Sequence, residues 1–261
     1  MAKIGLNNFW YSHLTEAQDG TPSYDGAKNL GKAVSCSVSI TNNSATLYAD
    51  DALAESDTSF QSGTMTLGVD DDREATFADL LGHSVTEEGE VISNSNDTAP
   101  WVGVARIIVK MVNNVRLYKV SILNKVKFSE PSDDENTKGE SVEFSTPSIE
   151  GTVATLANGD WKDVKTFSTK DEALAFIQTV FGTTYTVSYD VNGGTGSIDS
   201  QVVDYGDSVT LDSGATLTPP SNKTFGGWAL SASATAKDYS GGASYTPNGD
   251  TKFYAYWADA L

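Results

Sequence analysis

The sequence predicts a mainly β protein of the α+β kind, with one or two helices, organised as domains over residues 1–182 and 183–261. Three observations carry this reading. Stretches that alternate apolar and polar residues with period two recur along the chain, as half-buried strands require. Two stretches have helical spacing with end signals. Composition also changes at about residues 182–184. Residues 183–261 contain no Glu, hold 11 of the 26 aromatics, and carry eight Asp against three Lys, a net charge of −5 that leaves −13 for residues 1–182.

Individual elements follow from the same signals. Val34 to Thr41 (VSCSVSIT) and Thr64 to Val69 (TMTLGV) alternate strictly enough to be strands. Trp101–Val112 and Val115–Val126 are β-branched, apolar runs around Asn113-Asn114, and Asn tolerates the positive φ of a tight turn, so a hairpin is expected. Further strands are expected at Ser141–Phe144, Ser148–Leu156 and Trp161–Phe167. A helix is expected over Arg73–Leu81, entered through Asp70–Asp72 and ended by Gly82. A second opens on the capping box Thr169-Lys170-Asp171-Glu172 and runs to Gly182. Its stripe is Ala173, Ile177 and Val180, with Leu174, Phe176 and Phe181 beside it. Residues 50–60, 86–98 and 129–140 read as long loops, which in a compact β domain are functional or ordered by a partner.

Composition limits the function classes. The chain has 35 acidic against 17 basic residues, a formal net charge of −18. That balance opposes gripping nucleic acid, because phosphate binding needs Lys and Arg to displace counterions, but it does not oppose passive contact with DNA. The single cysteine excludes a disulfide framework and a Cys-based zinc site. The start, MAKIGLNNFWYSH, lacks a charged-then-apolar signal pattern, and no apolar run approaches ~20 residues. Cytoplasmic synthesis without membrane insertion is expected.

Candidate chemistry is thin. Tyr48-Ala49-Asp50-Asp51 looks like the Tyr-x-Asp-Asp signature of reverse-transcriptase palms, where paired carboxylates hold magnesium. Two-metal phosphoryl transfer also needs a distant third carboxylate and basic groups for the triphosphate, and no such set stands out. A solvated acidic loop after a strand Ala45–Tyr48 is the better expectation. Asp70–Asp72 suit a helix entry better than a cation site. Asp190-Val191-Asn192-Gly193-Gly194 departs from a calcium loop at its third ligand position and is expected to be a hairpin turn. His13 and His83 form no metal or triad spacing and read as surface or structural residues. Cys36, on the face of Val34, Val38 and Ile40, reads as a small buried hydrophobe. No enzyme activity, catalytic residue, metal or cofactor is expected.

Two resemblances add to this reading. GLNNFWYSHLTE, VSCSVSITNNSATLYADDALAE, DLLGH, NDTAPWVGV and KVKFSEPSDDENTKGESVEFSTPSIEGT occur in order over most of residues 4–156. In these pieces the first domain resembles the major tail, or tail-tube, protein of long non-contractile-tailed phages (siphoviruses) of Gram-positive bacteria. The second domain resembles the Listeria–Bacteroides, or internalin B-repeat-like, module of bacterial surface proteins and some phage proteins. Its pattern is carried by Tyr185 to Asp190, Asn192-Gly193-Gly194, Tyr205-Gly206-Asp207, Phe225-Gly226-Gly227-Trp228 and Lys252 to Trp257, although Pro219 to Thr224 replaces the usual Gly-containing approach to the Gly-Trp step. Tyr189, Trp228, Tyr254 and Trp257 are expected to form its core, since so small a domain needs large buried side chains.

The resemblances imply a tail-tube β-sandwich or barrel and a small β-grasp-like or Ig-like decoration domain. They imply homohexameric rings stacked into a hollow tube within the virion, assembled in the host cytoplasm on tape-measure and other tail proteins. Genomic DNA would pass transiently through an acidic lumen on ejection. Asp50, Asp51, Glu55 and Asp57, with Asp133, Asp134 and Glu135, would lie at ring–ring or lumen contacts. The second domain would sit outside the tube and touch the host envelope or glycans weakly. A surface adhesin and, remotely, a metal-dependent nucleic-acid enzyme are the other function classes.

Overall fold

A computed structural model describes residues 2–49, 52–70, 73–132 and 146–260. The fold is mainly β, with two helices among the described residues. It separates into two compact units, residues 1–181 and 182–261.

The first unit contains β1 (Ala2–Glu16), β2 (Pro22–Tyr24), β3 (Lys28–Gly31), β4 (Ala33–Ala49), β5 (Ala52–Val69), α1 (Glu74–Leu81), β6 (Ser84–Val85), β7 (Val91–Ile92), β8 (Val102–Val112), β9 (Val115–Ser129), β10 (Ser148–Val153), β11 (Lys162–Phe167) and α2 (Lys170–Val180). One antiparallel sheet has the order β2-β1-β8-β9-β10-β5-β4, with β3 also on β1 and β11 also on β9. Its centre is the β8–β9 hairpin, turned by Asn113 (φ 48°) and Asn114 (φ 62°) as the Asn-Asn pair predicts.

The two sheet faces bury different cores. One face sets Phe9, Tyr11, Val104, Leu123, Val126 and Phe128 against Met65, Leu67, Ile149 and the α1 residues Phe77 and Leu80. The sheet curls far enough that Cys36 and Val38 of β4 and Leu6 of β1 pack on this one cluster. The opposite face sets Ala105, Ile107, Val120 and Ile122 against Ala173 and Ile177 of α2 and Phe181 at its C-cap. That i, i+4, i+8 spacing is the stripe of an amphipathic helix, and burying each large member contributes about 1.5–3 kcal/mol. The Thr169–Glu172 capping box closes in both directions, and Phe181 ends the helix.

Several expectations change. Residues 52–60 are strand, not loop: β5 pairs with β4 from Ala52↔Ala49 onward, so the two form one very long ribbon. A bulge between Ala33 and Ser35 removes Val34 from the line of Cys36 and Val38 and leaves it 51% exposed. At the α1 entry, Arg73 is the N-cap without a side-chain cap bond. Asp70 instead accepts from the Lys32 amide at 2.9 Å and lies 3.3 Å from the Lys32 ammonium. Asp71, Asp72 and the expected strand Ser141–Phe144 lie outside the described residues.

The second unit contains β12 (Thr184–Asp190), β13 (Gln201–Asp204), β14 (Val209–Thr210), β15 (Lys223–Ala229), β16 (Ser244–Tyr245) and β17 (Thr251–Asp259). Its main sheet has the order β13-β12-β17-β15, with a parallel central pair β12–β17. That mixed order departs from an Ig-like sandwich, which uses two antiparallel sheets, and keeps the β-grasp-like alternative. Asn192-Gly193 is a turn but not a two-residue hairpin, because β13 joins β12 only after a long connection. The Asn192 amide instead donates to the Ala232 and Ala255 carbonyls at 3.0 Å, pinning that connection to β17.

Trp228 is fully buried, donates to the Asp212 carbonyl at 2.6 Å, and packs against Tyr189 and Phe225. Trp257 flanks this core and donates to the Val191 and Asn192 carbonyls. Gly194 is required beside it, since a Cβ there would lie 2.3 Å from the Trp257 ring. On β17 the buried aromatic is Phe253, not Tyr254. Phe253, Ala255 and Trp257 share the inner face by period two, which turns Tyr254 outward beneath the Lys252 ammonium.

Trp228→Ala should lower the stability of residues 182–261 by about 3–5 kcal/mol. Hydrogen exchange during urea unfolding of the full chain should place that loss on amides of residues 182–261 and leave amides of β8 and β9 unchanged.

Candidate assembly interface

Two surfaces of the first unit stand out, one acidic and one basic. The acidic surface is the outer half of the β4–β5 ribbon. β10 pairs with β5 only from Ser148↔Gly68 to Val153↔Gly63. The Phe60 ring stacks on Trp161 at 4.5 Å just beyond that point. Past it the ribbon has no third strand among the described residues, and Thr41–Tyr48 and Glu55–Ser59 are exposed. At ~3.3 Å per residue, residues 41–49 extend about 30 Å.

The sequence explains why this half stays outside a core. Its residues are Thr, Asn, Ser, Ala, Asp and Glu, with Leu47 57% and Tyr48 67% exposed near the tip. Ala45↔Asp57 and Leu47↔Glu55 are cross-strand pairs, so both carboxylates project from the face that carries Leu47. No Lys or Arg occurs between Lys32 and Arg73. Glu55 and Asp57 are thus brought together on one exposed ribbon face. Asp50 and Asp51, expected beside them, lie outside the described residues, as do Asp133, Asp134 and Glu135.

The basic surface was not anticipated from sequence. Register places Lys3 opposite Lys110, Ile108 opposite Lys119, Arg106 opposite Ser121, and Leu123 opposite Lys162. Directly paired residues share a face, so Lys3, Arg106, Lys110, Lys119 and Lys162 project from one side of β1, β8, β9 and β11. Closer to the sheet centre the same face buries Val104 and Leu123. Beyond the core it opens into a cleft of about 450 Å³, lined by Lys3, Leu6, Cys36, Val38, Arg106 and Ile108.

This face is electrostatically uncompensated among the described residues. Arg106 is only 9% exposed, yet its recorded hydrogen bond is to the Cys36 sulfur at 3.0 Å. Ser121, its cross-strand neighbour, has a buried hydroxyl oxygen with no partner. The Lys119 ammonium is held below its ordinary range by burial first, then by repulsion from Lys110, Lys162, Lys3 and Arg106. Other basic residues are engaged elsewhere. Lys28 lies 3.1 Å from Asp25 and 3.4 Å from Asp79, Lys32 pairs with Asp70, and Lys125 pairs with Glu16 and, like Lys127, lies over the Trp101 ring. Burial pushes the Cys36 thiol up, against the opposing pull of Arg106.

The histidines serve local structure. His13 lies between Asp25 and Asp79, and Tyr11 donates to Asp79 at 2.7 Å. Burial, then that hydrogen bond, raises the Tyr11 hydroxyl above its ordinary range. His83 is held by Asp97 at 2.7 Å and Glu130 at 3.1 Å, and these carboxylates raise its pKa against the opposing effect of burial. The pair ties the end of α1 to the segments before β8 and after β9. No group of three or more His, Cys, Asp and Glu among the described residues is arranged to hold a metal ion.

Because the His83 pKa is raised in the folded state, its protonation stabilises the fold. That contribution is complete below the unfolded value of about 6.5 and is lost as pH rises through the folded value. An NMR titration of His83 should give a midpoint above that of a free histidine, and Asp97→Asn should lower it. An unshifted midpoint would contradict the Asp97–His83–Glu130 geometry.

Comparison with known proteins bears on the second unit. Residues 185–256 match the family model of the Listeria-Bacteroides repeat domain. No curated protein matches the chain. The C-terminal unit is thus similar to that repeat family across nearly its whole length.

Proposed function

We propose that this chain is a structural subunit that associates head to tail with copies of itself, in the manner of a phage tail-tube protein. Rings, hexameric on the resemblance, would stack into a hollow tube in the virion. The observation that carries the reading is the β4–β5 ribbon, about half of which has, among the described residues, two unpaired edges and no covered face. An isolated two-stranded ribbon is marginally stable in water, and open edges invite pairing with another chain. A ribbon of that length is therefore a contact element awaiting a partner. A contact between different surfaces of identical subunits closes into rings or extends into filaments, as a tube requires.

The charge balance supports passage of DNA through such a tube. A net-negative lumen repels a duplex and lets it slide, whereas a basic wall would hold it with strong salt dependence. In this account some first-unit carboxylates face the lumen, and the basic sheet face is covered within the assembly. Tape-measure and other tail proteins would provide the template, and the C-terminal unit would be carried outside the tube. A second reading, a surface or virion adhesin, is favoured by the match of residues 185–256 to the Listeria-Bacteroides repeat domain. The two are compatible if the repeat unit contacts envelope or glycans from the tube exterior.

Electron microscopy of the purified chain tests the assembly reading. Rings or tubes are expected, and removal of residues 183–261 should leave them able to form. Compact monomers at every concentration, with binding to cell envelopes carried entirely by residues 183–261, would favour the adhesin instead.

A further inference from the structure

We infer that the basic sheet face formed by Lys3, Arg106, Lys110, Lys119 and Lys162 is the socket for the acidic β4–β5 arm of a second copy of this chain. The inference rests on the assembly reading above and adds the identity of the two surfaces that meet.

Three observations converge on an anionic occupant. First, five cations share one face in a chain whose net charge is −18, and among the described residues none has a carboxylate partner. Such clustering is costly in isolation, as the depressed Lys119 ammonium indicates. Second, the face holds unmet hydrogen-bonding capacity under cover. Arg106 is nearly buried with only a thiol sulfur as acceptor, and the Ser121 hydroxyl beside it has no partner. A guanidinium presents five donors in a fork that fits a carboxylate. Third, the cleft at the inner margin of this face is partly apolar, lined by Leu6, Val38 and Ile108. It accepts apolar side chains beside charged ones.

The arm matches each requirement. Glu55 and Asp57 project from one ribbon face without a cation of their own among the described residues, and Leu47 lies directly opposite Glu55 on that face. The segment 33–72 contains no basic residue to oppose docking. The arm's unpaired backbone edges can also add hydrogen bonds to a receiving strand. Among the described residues β11 pairs only with β9 and offers one such edge along Lys162–Phe167. In a conduit for DNA, an arm in this socket would also cover a surface able to trap phosphate.

The test uses charge reversal on both surfaces of the full chain. K110E/K119E alters the socket, and E55K/D57K alters the exposed arm, away from either core. Circular dichroism and thermal melting check that each variant folds, and sedimentation velocity with electron microscopy reads self-association. Each variant alone should associate at least ~10-fold more weakly than the wild type: E55K/D57K sets a basic arm against the five cations, and K110E/K119E places two carboxylates opposite the acidic arm and cancels most of the socket's charge. A 1:1 mixture should recover part of the assembly, because the unaltered acidic arm of K110E/K119E meets the unaltered basic socket of E55K/D57K. Wild-type association should weaken as salt rises.

Normal assembly of K110E/K119E would overturn the socket while leaving the assembly reading intact. A wild type that stays monomeric throughout would overturn both. Binding of duplex DNA that is lost in K110E/K119E while assembly persists would assign the face to nucleic acid and also overturn the inference.

Discussion

Much of the first unit follows from where one short strand stops. β10 spans six residues and bridges β9 to β5 over Ser148–Val153. Up to Gly63 the β4–β5 ribbon is part of a sheet, with Met65, Leu67 and Val69 in a core. Past Gly63 Phe60 still stacks on Trp161, and beyond it the ribbon has no third strand among the described residues and is exposed. β11 then takes the adjacent position on β9 without pairing to β5, so the sheet divides there. The division frees the acidic arm on one side and leaves the basic face of β8, β9 and β11 uncovered on the other. A longer β10 would have continued to pair the β5 edge past Gly63 and left a shorter free arm.

Charge gives the division its consequence. A surplus of carboxylates spread evenly would only keep the chain soluble and monomeric. Here the basic residues are sorted: several are engaged in internal pairs with Asp25, Asp70, Asp79 and Glu16, while five gather without a carboxylate partner among the described residues. Placing Arg106 and Ser121 under cover without matching acceptors is unfavourable in a monomer, because a buried polar group that lacks its partner costs about 1–3 kcal/mol. A carboxylate supplied by another molecule offsets that loss. The same desolvation would make the contact selective for the correct register.

Local chemistry was legible in the sequence, and long-range placement was less so. The Thr169–Glu172 capping box, the Asn113-Asn114 turn, the Gly82 helix end and the α2 stripe each depend on residues within a few positions, and each forms. Ala45–Tyr48 read as strand, but residues 50–60 of the arm resembled a loop because strand recognition relies on one buried face, and residues 55–59 have none. The basic face is assembled from positions 3, 106, 110, 119 and 162, and only the strand register unites them. Tyr254 and Phe253 are adjacent aromatics, so a one-residue choice of register decided which entered the core. Asp70 looked like a helix cap because it precedes α1, but Lys32 on the neighbouring chain segment claims it.

The central claim is that the arm is incomplete until another copy covers it. Amide hydrogen exchange across residues 41–62, compared between dilute monomer and assembled protein, tests it most directly. The account predicts fast exchange in the monomer, especially at the outward-facing amides, and strong protection on assembly, with β8 and β9 protected in both. Core-like protection of the arm in the dilute monomer, or continued fast exchange in the assembled form, would contradict it.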